Sequence, residues 1–266
     1  SIRNDSYVFS SAISPGTRSG HSIPSLLSGA PATVHNYFAN IGNLRLLPDE
    51  FNEKGYATGV VCGNPHMTSD KFIDSFDWYM WSRRGTEYQF AIQRIITRAM
   101  ARFSSYYIPV NYFIMDTDWM VNLAKGFIEE IKNQDQPFFL YVHPQDVHES
   151  YLRSWDKVAK FAAEHDQEIE RGDWTNDYDF DERRALWYED EVKNWGYDEA
   201  IRNTDRNLRI LCSYLEEEGM LSDTIIAVTS DHGELLGERE LWGHIDVPYN
   251  QAIEVPLLIY DPQQDG

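Results

Sequence analysis

The densest group of side chains capable of chemistry in this sequence is the run T-S-D-H-G-E at residues 229–234. Asp231 and His232 follow an apolar stretch, and a carboxylate beside an imidazole can bind a divalent cation such as Zn²⁺ or Mn²⁺. Gly233 would let the backbone turn sharply after them. A polar turn with a capping aspartate could also contain an Asp-His pair. The pair alone therefore leaves both the metal site and the structural turn open. With the apolar runs on either side of it, we predict that Asp231 and His232 are metal ligands.

Similar polar groups follow two other predicted strands. His143, Asp146 and His148 come after the apolar run at 137–142, and the polar turn at 17–22 comes after a short strand pattern at 6–12. Chemistry in an open α/β sheet collects where strands end at their carboxyl edge. These three strand ends therefore hold the residue types that metal binding and nucleophilic attack require.

The remaining pattern of the chain must position these groups. Apolar runs predict further strands at 56–61, 223–229 and 254–260, and periodic apolar residues predict helices at 47–54, 116–132 and 197–219. A further helix is expected after the turn at 17–22, with Pro24 in its first turn and Gly29 after its end. Helices alternating with continuous apolar strands are typical of an α/β fold with a mainly parallel central sheet and helices on both faces.

The domain organisation is predicted to be simple. No linker rich in glycine, proline or serine divides the chain, so we predict a single domain over residues 1–266. Residues 152–194 are dense in charge and in tryptophan and tyrosine but lack a strand pattern. We expect them to form a helical insertion over one end of the sheet.

Composition excludes several classes of protein. The 266 residues hold 43 acidic and 23 basic side chains, a formal net charge of -20 that disfavours binding to nucleic acids or anionic membranes. Few of the basic residues are lysines, which fits a halophilic protein or an ordinary acidic enzyme.

Cys62 and Cys212 are predicted to be buried free thiols. The sequence shows no membrane-spanning apolar run and no signal peptide, so we expect a cytoplasmic protein without a membrane segment.

Residues 223–262 resemble the sulfatase branch of the alkaline phosphatase superfamily. Members carry a strand, then S-D-H-G-E, a G-H or G-K, P-Y and V-P before an apolar run, and this chain has these motifs in that order. Residues 146–151, D-V-H-E-S-Y, are similar to the family's D-P-H-x-P-Y, and residues 25–29, S-L-L-S-G, to its S-L-L-T-G. The resemblance implies an alkaline-phosphatase-like fold, a divalent metal (Zn²⁺, Mn²⁺ or Ca²⁺) and a small anionic ester as substrate.

The resemblance also implies a nucleophile. Counting back six residues from Ser25 leads to Ser19, but the C/S-x-P-x-R motif would need proline and arginine where this chain has His21 and Ile23. Formylglycine is therefore not expected, and the pattern is more similar to phosphoethanolamine transferases and some archaeal sulfatase-like proteins. Ser19 is predicted to be a plain hydroxyl nucleophile that also binds the metal, which would lower its pKa. An anionic group would be favoured at this helix N-terminus, although Ser19 could also be a simple N-cap.

Four other residues are candidates around that nucleophile. Thr17 is the alternative nucleophile and a substrate contact, and Arg18 would bind the substrate anion or face solvent. The resemblance places His148 and His244 beside the transferred group, where they would donate hydrogen bonds or protonate the leaving group. A surface turn for His148 and an interior histidine paired with a carbonyl for His244 are the alternatives.

The other histidines are assigned less chemistry. His143 is expected to be structural, and His35, His66 and His165 have no supporting pattern. In the family, the first strand ends in paired carboxylates that complete the metal site, and a smaller C-terminal region follows the catalytic part. Neither is matched here, so we expect this chain to lack both.

Taken together, the resemblance implies a metal-dependent, sulfatase-like hydrolase. It would cleave a sulfate or phosphate ester through a covalent intermediate on Ser19. The alternatives are a phosphoalcohol transferase of the phosphoethanolamine or phosphoglycerol type, and a non-catalytic protein with the same fold.

Overall fold

Two three-stranded sheets bring the polar strand ends of this chain together. The computed structural model describes residues 5–35, 41–81, 117–148, 155–165, 190–244 and 246–263. Within them, the strands are β1 (Ser6–Ile13), β2 (Ala57–Cys62), β3 (Trp78–Trp81), β4 (Phe138–His143), β5 (Ile226–Thr229), β6 (Leu235–Leu236), β7 (Trp242–Gly243) and β8 (Glu254–Tyr260). The α-helices are α1 (Ser19–Ser28), α2 (Ala32–His35), α3 (Leu47–Glu53), α4 (Asp70–Ser75), α5 (Thr117–Ile131), α6 (Trp155–Ala163), α7 (Asp190–Glu217) and α8 (Asn250–Ile253).

The first sheet is parallel and covered on both faces. β2 lies between β3 and β4 and runs parallel to each. Its side chains alternate between two cores: Val60 packs in a cluster with Ile23 and Phe72, and Val61 packs in a cluster with Phe127 of α5. Because helices cover both faces, every position of β2 is buried. The predicted α/β class, with a parallel sheet and helices on both faces, is confirmed.

A close approach of α5 to this sheet depends on one glycine. A Cβ added at Gly59 would lie 2.8 Å from the ring of Phe127, which is itself 1% exposed. Because real Cβ atoms do not come this close, the ring can lie directly on β2 only where the strand has no side chain.

The second sheet is antiparallel, a pairing that the sequence pattern did not predict. β8 lies between β1 and β5 and runs antiparallel to both, with Ile13 opposite Glu254 and Thr229 opposite Leu257. β1 and β5 therefore run in the same direction, and their carboxyl ends lie at one edge. This arrangement brings residues 14–19 close to residues 230–234.

Helix α1 begins earlier than its proline suggests. The Arg18 carbonyl accepts hydrogen bonds from the backbone N–H groups of His21 and Ser22, at 2.9 and 3.0 Å, so the first turn precedes Pro24. The prediction that Pro24 lies in the first turn was therefore wrong. The helix ends at Gly29 as predicted, where φ is +69° and the N–H donates to the Ser25 carbonyl.

Further differences from the predicted elements concern length and number. β3 was not predicted, and α7 begins at Asp190 rather than near residue 197. Of the predicted insertion at 152–194, the described parts are residues 155–165, which include α6, and the beginning of α7. Residues 166–189 lie outside the described part of the chain, so the insertion and the single-domain boundaries stay predictions.

The described helices were also searched for membrane spans. In the ranges that the structure describes, no helix combines the length and the apolar character needed to cross a membrane. Cys62 and Cys212 are buried free thiols, as predicted.

Candidate functional site

A small cavity lies where the ends of β4 and β5 meet the start of α1. Its volume is about 50 Å³. It is lined by residues of the two strand ends, of the first turn of α1 and of the side of α7: Ser19, His143, Pro144, Gln145, Val147, His148, Tyr197, Ser230, Asp231, His232, Gly233 and Glu234. A larger open groove between α3 and α4 holds none of the predicted site residues. We therefore take the small cavity as the candidate site.

The Ser19 hydroxyl faces His232 across this cavity. Ser19 Oγ lies 3.3 Å from Nε2 of His232, and both residues are buried, at 6% and 8% exposure. Arg18 occupies the N-cap position, and the structure shows no side-chain hydrogen bond capping the helix. The alternative that Ser19 is a simple N-cap is therefore wrong.

The imidazole of His232 is fixed by the backbone. Its Nδ1 lies 2.8 Å from the Gly233 carbonyl oxygen, and because a carbonyl only accepts, Nδ1 must carry the proton. In the neutral ring the lone pair is then on Nε2, the atom that faces Ser19. A histidine held in this way presents a fixed nitrogen to a metal or a proton.

Asp231 lies beside the same nitrogen. Its Oδ2 atom is 3.6 Å from His232 Nε2, and the side chain is 13% exposed. Burial acts to raise the pKa of the Asp231 carboxyl, but His232, His143 and the Ser19 hydroxyl stabilise the charged form, and the net shift is downward. Asp231 is therefore a buried carboxylate that keeps its negative charge.

These three donors fit a divalent metal. Zinc–nitrogen and zinc–oxygen bonds of about 2.0–2.2 Å place neighbouring tetrahedral donors about 3.3–3.6 Å apart. The distances from His232 Nε2 to Ser19 Oγ and to Asp231 Oδ2, 3.3 and 3.6 Å, are of this size. Within the described residues, Asp231 Oδ2 is also buried without a hydrogen bond. A buried carboxylate oxygen needs a partner, and a bound cation would supply one.

Glu234 and His244 offer further donors beside His232. Nδ1 of His244 lies 3.5 Å from Oε1 of Glu234, whose side chain is 5% exposed. One donor atom from each of His232, Glu234 and His244 lies within 4.8 Å of the other two. Because Nε2 is the free nitrogen of His232, it can serve one ion only, with Asp231 and Ser19 or with Glu234 and His244.

The two histidines predicted to contact the transferred group lie together. The ring of His244 packs against His148, with the centroids 4.9 Å apart and the planes at 71°, and against His232 at 4.5 Å. His148 lines the cavity directly. The imidazoles of His148, after β4, His232, after β5, and His244, after β7, thus form one continuous group.

The predicted anion contacts Thr17 and Arg18 lie at the edge of this arrangement. Thr17 is 8% exposed, and the Arg18 guanidinium pairs with Asp246, with Nε 2.8 Å from Oδ1. Neither residue lines the cavity. A role for either in binding the substrate stays a prediction.

Glycine and serine residues hold the loop after β5 in place. A Cβ added at Gly233 would lie 2.0 Å from the Gln251 carbonyl oxygen, and its N–H donates to the Ala252 carbonyl at 2.8 Å. Gly233 is thus required by the close approach of α8. The Ser14 hydroxyl, at the end of β1, contacts the Asp231 carbonyl oxygen. Both contacts fix the backbone that carries Asp231 and His232.

Sequence reasoning assigned no role to Glu234 and Tyr197 of this site or to His66 beside it. Glu234 and Tyr197 line the cavity, and the pKa of Tyr197 is raised by burial and by the charge of Glu234. His66 lies close enough for the charges of Asp231, His244 and His143 to act on its pKa, which burial lowers. His66 follows β2 in the run G-N-P-H, a fourth polar strand end that the strand-end rule would have identified.

His143 and His35 are held by neighbouring side chains. His143 lies between the Tyr141 hydroxyl, 2.9 Å from its Nδ1, and the amide of Asn64, 3.4 Å from its Nε2. Burial lowers the pKa of His143, although the nearby charge of Asp231 acts in the opposite direction. His35 lies 2.9 Å from the Ser25 hydroxyl. Its burial lowers its pKa as well, and it lies outside the cavity lining.

Known proteins are similar to this chain in sequence or in fold. An arylsulfatase of Clostridium perfringens is 28% identical over 158 residues, covering 55% of this chain and 32% of that protein. A protein solved in complex with its substrate D-glucosamine-2-N,6-O-disulfate has the same fold (TM-score 0.66, 18% identity, 98% of this chain and 65% of that one). So does the lipoteichoic acid synthase LtaP from Listeria monocytogenes (TM-score 0.62, 14% identity, 100% of this chain and 59% of that one).

These relatives are longer than the present chain. The chain spans about a third of the arylsulfatase and less than two thirds of either solved structure. The family model described as Sulfatase matches residues 1–265. The chain therefore belongs to the sulfatase family.

Proposed function

We propose that this chain carries the catalytic site of a sulfatase-like hydrolase that cleaves a sulfate or phosphate ester through a covalent ester on Ser19. The observation that carries the proposal is the buried contact between Ser19 Oγ and His232 Nε2, 3.3 Å, beside the charged carboxylate of Asp231. A hydroxyl nucleophile, a fixed imidazole and a buried carboxylate at one cavity form the constellation that ester cleavage requires.

The proposed metal ligands are Asp231, His232 and Ser19. Their donor spacing fits a divalent ion, and Glu234 and His244 lie next to them as an alternative donor pair. A bound divalent cation would lower the pKa of the serine hydroxyl and neutralise negative charge on the ester. The ester itself is the proposed partner: a small anion that enters a cavity of about 50 Å³.

The chemical step assigned to this chain is an attack by Ser19 on sulfur or phosphorus. The Ser19 oxygen forms a bond to that atom while the bond from that atom to the leaving oxygen breaks. One proton leaves the serine and one is taken up by the leaving oxygen, so the step is proton-neutral overall. Water then cleaves the serine ester and regenerates Ser19.

His148 and His244 are assigned to the transferred group. Their rings are 4.9 Å apart and belong to the same group of imidazoles as His232. From this position they would donate hydrogen bonds to nonbridging oxygens, where negative charge develops, or a proton to the leaving oxygen.

The choice between sulfate and phosphate depends on the chemistry of the nucleophile. A formylglycine would provide a second hydroxyl that helps to expel sulfate, but His21 and Ile23 replace the residues of its modification motif. A plain serine therefore favours phosphate esters, whereas family membership favours sulfate. Both substrate classes must be included in the test.

The test is hydrolysis by the metal-loaded protein. We would incubate it with an aryl sulfate, an aryl phosphate monoester and an aryl phosphate diester, each with Mn²⁺, Zn²⁺ or Ca²⁺. We expect release of the phenol from at least one ester and none from Ser19→Ala. Inactivity on all three esters, with a bound ion verified by elemental analysis, would contradict the hydrolase proposal.

A phosphoalcohol transferase is the second candidate. It is favoured by the likeness of the fold to the lipoteichoic acid synthase LtaP and by the unmodified hydroxyl at Ser19. Adding an acceptor alcohol to the phosphodiester reaction separates the two functions. A transferase would give the transesterified product at the expense of free phosphate ester, whereas a hydrolase would give the same products with and without the acceptor.

A further inference from the structure

A buried hydrogen bond joins the middle of α7 to the turn that leads to His148. Nδ2 of Asn203 lies 2.6 Å from Oδ2 of Asp146, and both residues are 4% exposed. They are 57 residues apart in sequence, so the bond connects two separate elements. A hydrogen bond to a carboxylate in such a dry environment is among the stronger polar contacts of a protein.

The chemistry of its neighbours fixes the orientation of the Asn203 amide. Its Oδ1 accepts a hydrogen bond from Arg206, which has donors only, and its Nδ2 donates to Asp146, which when ionised has acceptors only. The opposite orientation would lose both bonds. Asn203 is therefore placed to bridge a cation and an anion, which an aspartate or a leucine of similar size would not do.

The helix side of this bridge is anchored to α5. Arg206 donates to Asp118 at 3.1 Å, and Asn207 donates both to Asp118 and to the Asn203 carbonyl, the latter at 2.9 Å. Asp118 stands in the first turn of α5, whose buried face packs on the parallel sheet. Asn203 is therefore a fixed point relative to the sheet.

The other side of the bridge is the turn after β4. The His148 N–H donates to the Gln145 carbonyl at 3.1 Å, so Asp146 lies inside the turn that ends at His148. The His148 ring then meets His244 edge to face at 4.9 Å. A shift of Asp146 would move the backbone of His148 and the contact between the two rings.

We propose that Asn203 is a positioning residue, which holds Asp146 so that His148 stays against His244 beside the transferred group. The role of His148 beside the transferred group rests on the proposed function. The Asn203–Asp146 hydrogen bond and the His148–His244 ring contact do not depend on it. Misplacement of a reacting or contacting group by about 1 Å can cost about 100-fold in rate. The bridge is thus expected to affect the rate of the chemical step more than the binding of substrate.

A charge swap tests the bridge. Asn203→Asp places a carboxylate against Asp146, close to Glu199, whose pKa is raised by burial and by the charge of Asp146. We expect kcat to fall about 10- to 100-fold, with KM changed less than about 3-fold. Adding Asp146→Asn restores a donor opposite an acceptor and should return kcat to within about 3-fold of the wild-type value.

Thr204→Ala is the matched control. Thr204 follows Asn203 on α7, and its hydroxyl donates to the Ala200 carbonyl of the same helix at 2.9 Å rather than to Asp146. We expect this variant to leave kcat near the wild-type value. Equal loss of kcat in Thr204→Ala and Asn203→Asp, or no rescue by the swap, would overturn the proposal.

A second readout does not depend on activity. Crystal structures of the wild-type and Asn203→Asp proteins would compare the His148–His244 centroid distance with the 4.9 Å described above. An increase of about 1 Å or more supports the proposal, and an unchanged distance overturns it. If the wild-type protein hydrolysed no ester, the proposed function would fail while this comparison still decided the role of Asn203.

Discussion

The hydroxyl oxygen of Ser19 lies 3.3 Å from Nε2 of His232, although 213 positions separate the two residues in sequence. The contact exists because β1 and β5 both pair with β8 and end at the same edge. α1 begins six residues after β1 ends, and His232 stands three residues after β5 ends. Pairing with a strand near the end of the chain thus assembles the candidate site.

The first prediction concerns the nucleophile. Ser19→Ala removes the attacking oxygen without removing a helix cap, so we expect ester hydrolysis to fall at least about 10³-fold and the melting temperature to stay within about 2 °C. Initial rates and thermal denaturation measure the two effects. The control is Ser28→Ala, whose hydroxyl bonds to the Pro24 carbonyl within the same helix and should have no role in the reaction. Full activity in Ser19→Ala would direct attention to Thr17.

The second prediction concerns the metal. Asp231→Asn removes one negative charge from the proposed donor set, so we expect the Kd for Zn²⁺ or Mn²⁺ to rise at least about 10-fold in calorimetric titration of chelator-treated protein. Asp205→Asn, a change at an exposed pair on α7, should leave the Kd unchanged. If Glu234→Gln weakened binding and Asp231→Asn did not, the ion would belong with Glu234 and His244.

The third prediction uses two glycines with opposite environments. Gly59→Ala places a methyl group 2.8 Å from the ring of Phe127, so we expect a loss of about 1–3 kcal/mol in the free energy of unfolding. Gly126→Ala in α5 meets nothing within 4 Å and should gain about 0.5–1 kcal/mol, because alanine is the better helix former. Urea denaturation measures both, and a similar loss in the two variants would refute the steric explanation for Gly59.

The fourth prediction concerns acid stability at the start of α3. Burial acts to raise the pKa of Asp49, but the Lys71 ammonium, 2.5 Å away, and the Leu46 N–H stabilise its charged form, and the net shift is downward. A carboxyl whose pKa is lowered by folding adds stability above its unfolded value, about 3.9, and loses it as the pH falls towards the folded value.

This sign gives a clear comparison with a neutral variant. Asp49→Asn should lower the free energy of unfolding by about 1–2 kcal/mol at pH 7. The difference from the wild-type protein should shrink below about pH 3.9, as Asp49 takes up its proton. Urea denaturation of both proteins at pH 7 and at pH 3 measures this difference. A difference that stayed constant between pH 7 and pH 3 would show that the charge of Asp49 contributes nothing.

The continuous apolar strands were predictable, and the long-range partners of the site were not. β2 and β4 could be located because strands buried on both faces have uninterrupted apolar sequences. The pairing of Arg18 with Asp246 could not be predicted, because spacing in the sequence carries no information on a contact between the start of α1 and the loop before α8. The same holds for the Ser14 hydroxyl beside the Asp231 carbonyl.

The histidines show where reasoning from the sequence was incomplete. His148 and His244 were singled out by motif, and the structure places them in contact with each other. His66 was passed over because the strand-end rule was applied to three strands and not to β2, which precedes it. The rule itself was adequate, since His66 lies within electrostatic reach of Asp231 and His244.

The size of the cavity has a consequence for selectivity. The cavity of about 50 Å³ has room for a few water molecules, and Ser19, Asp231 and His232 all line it. The part of an ester that these three residues can contact together is therefore small. We expect them to discriminate on the shape and charge of the transferred group rather than on the alcohol.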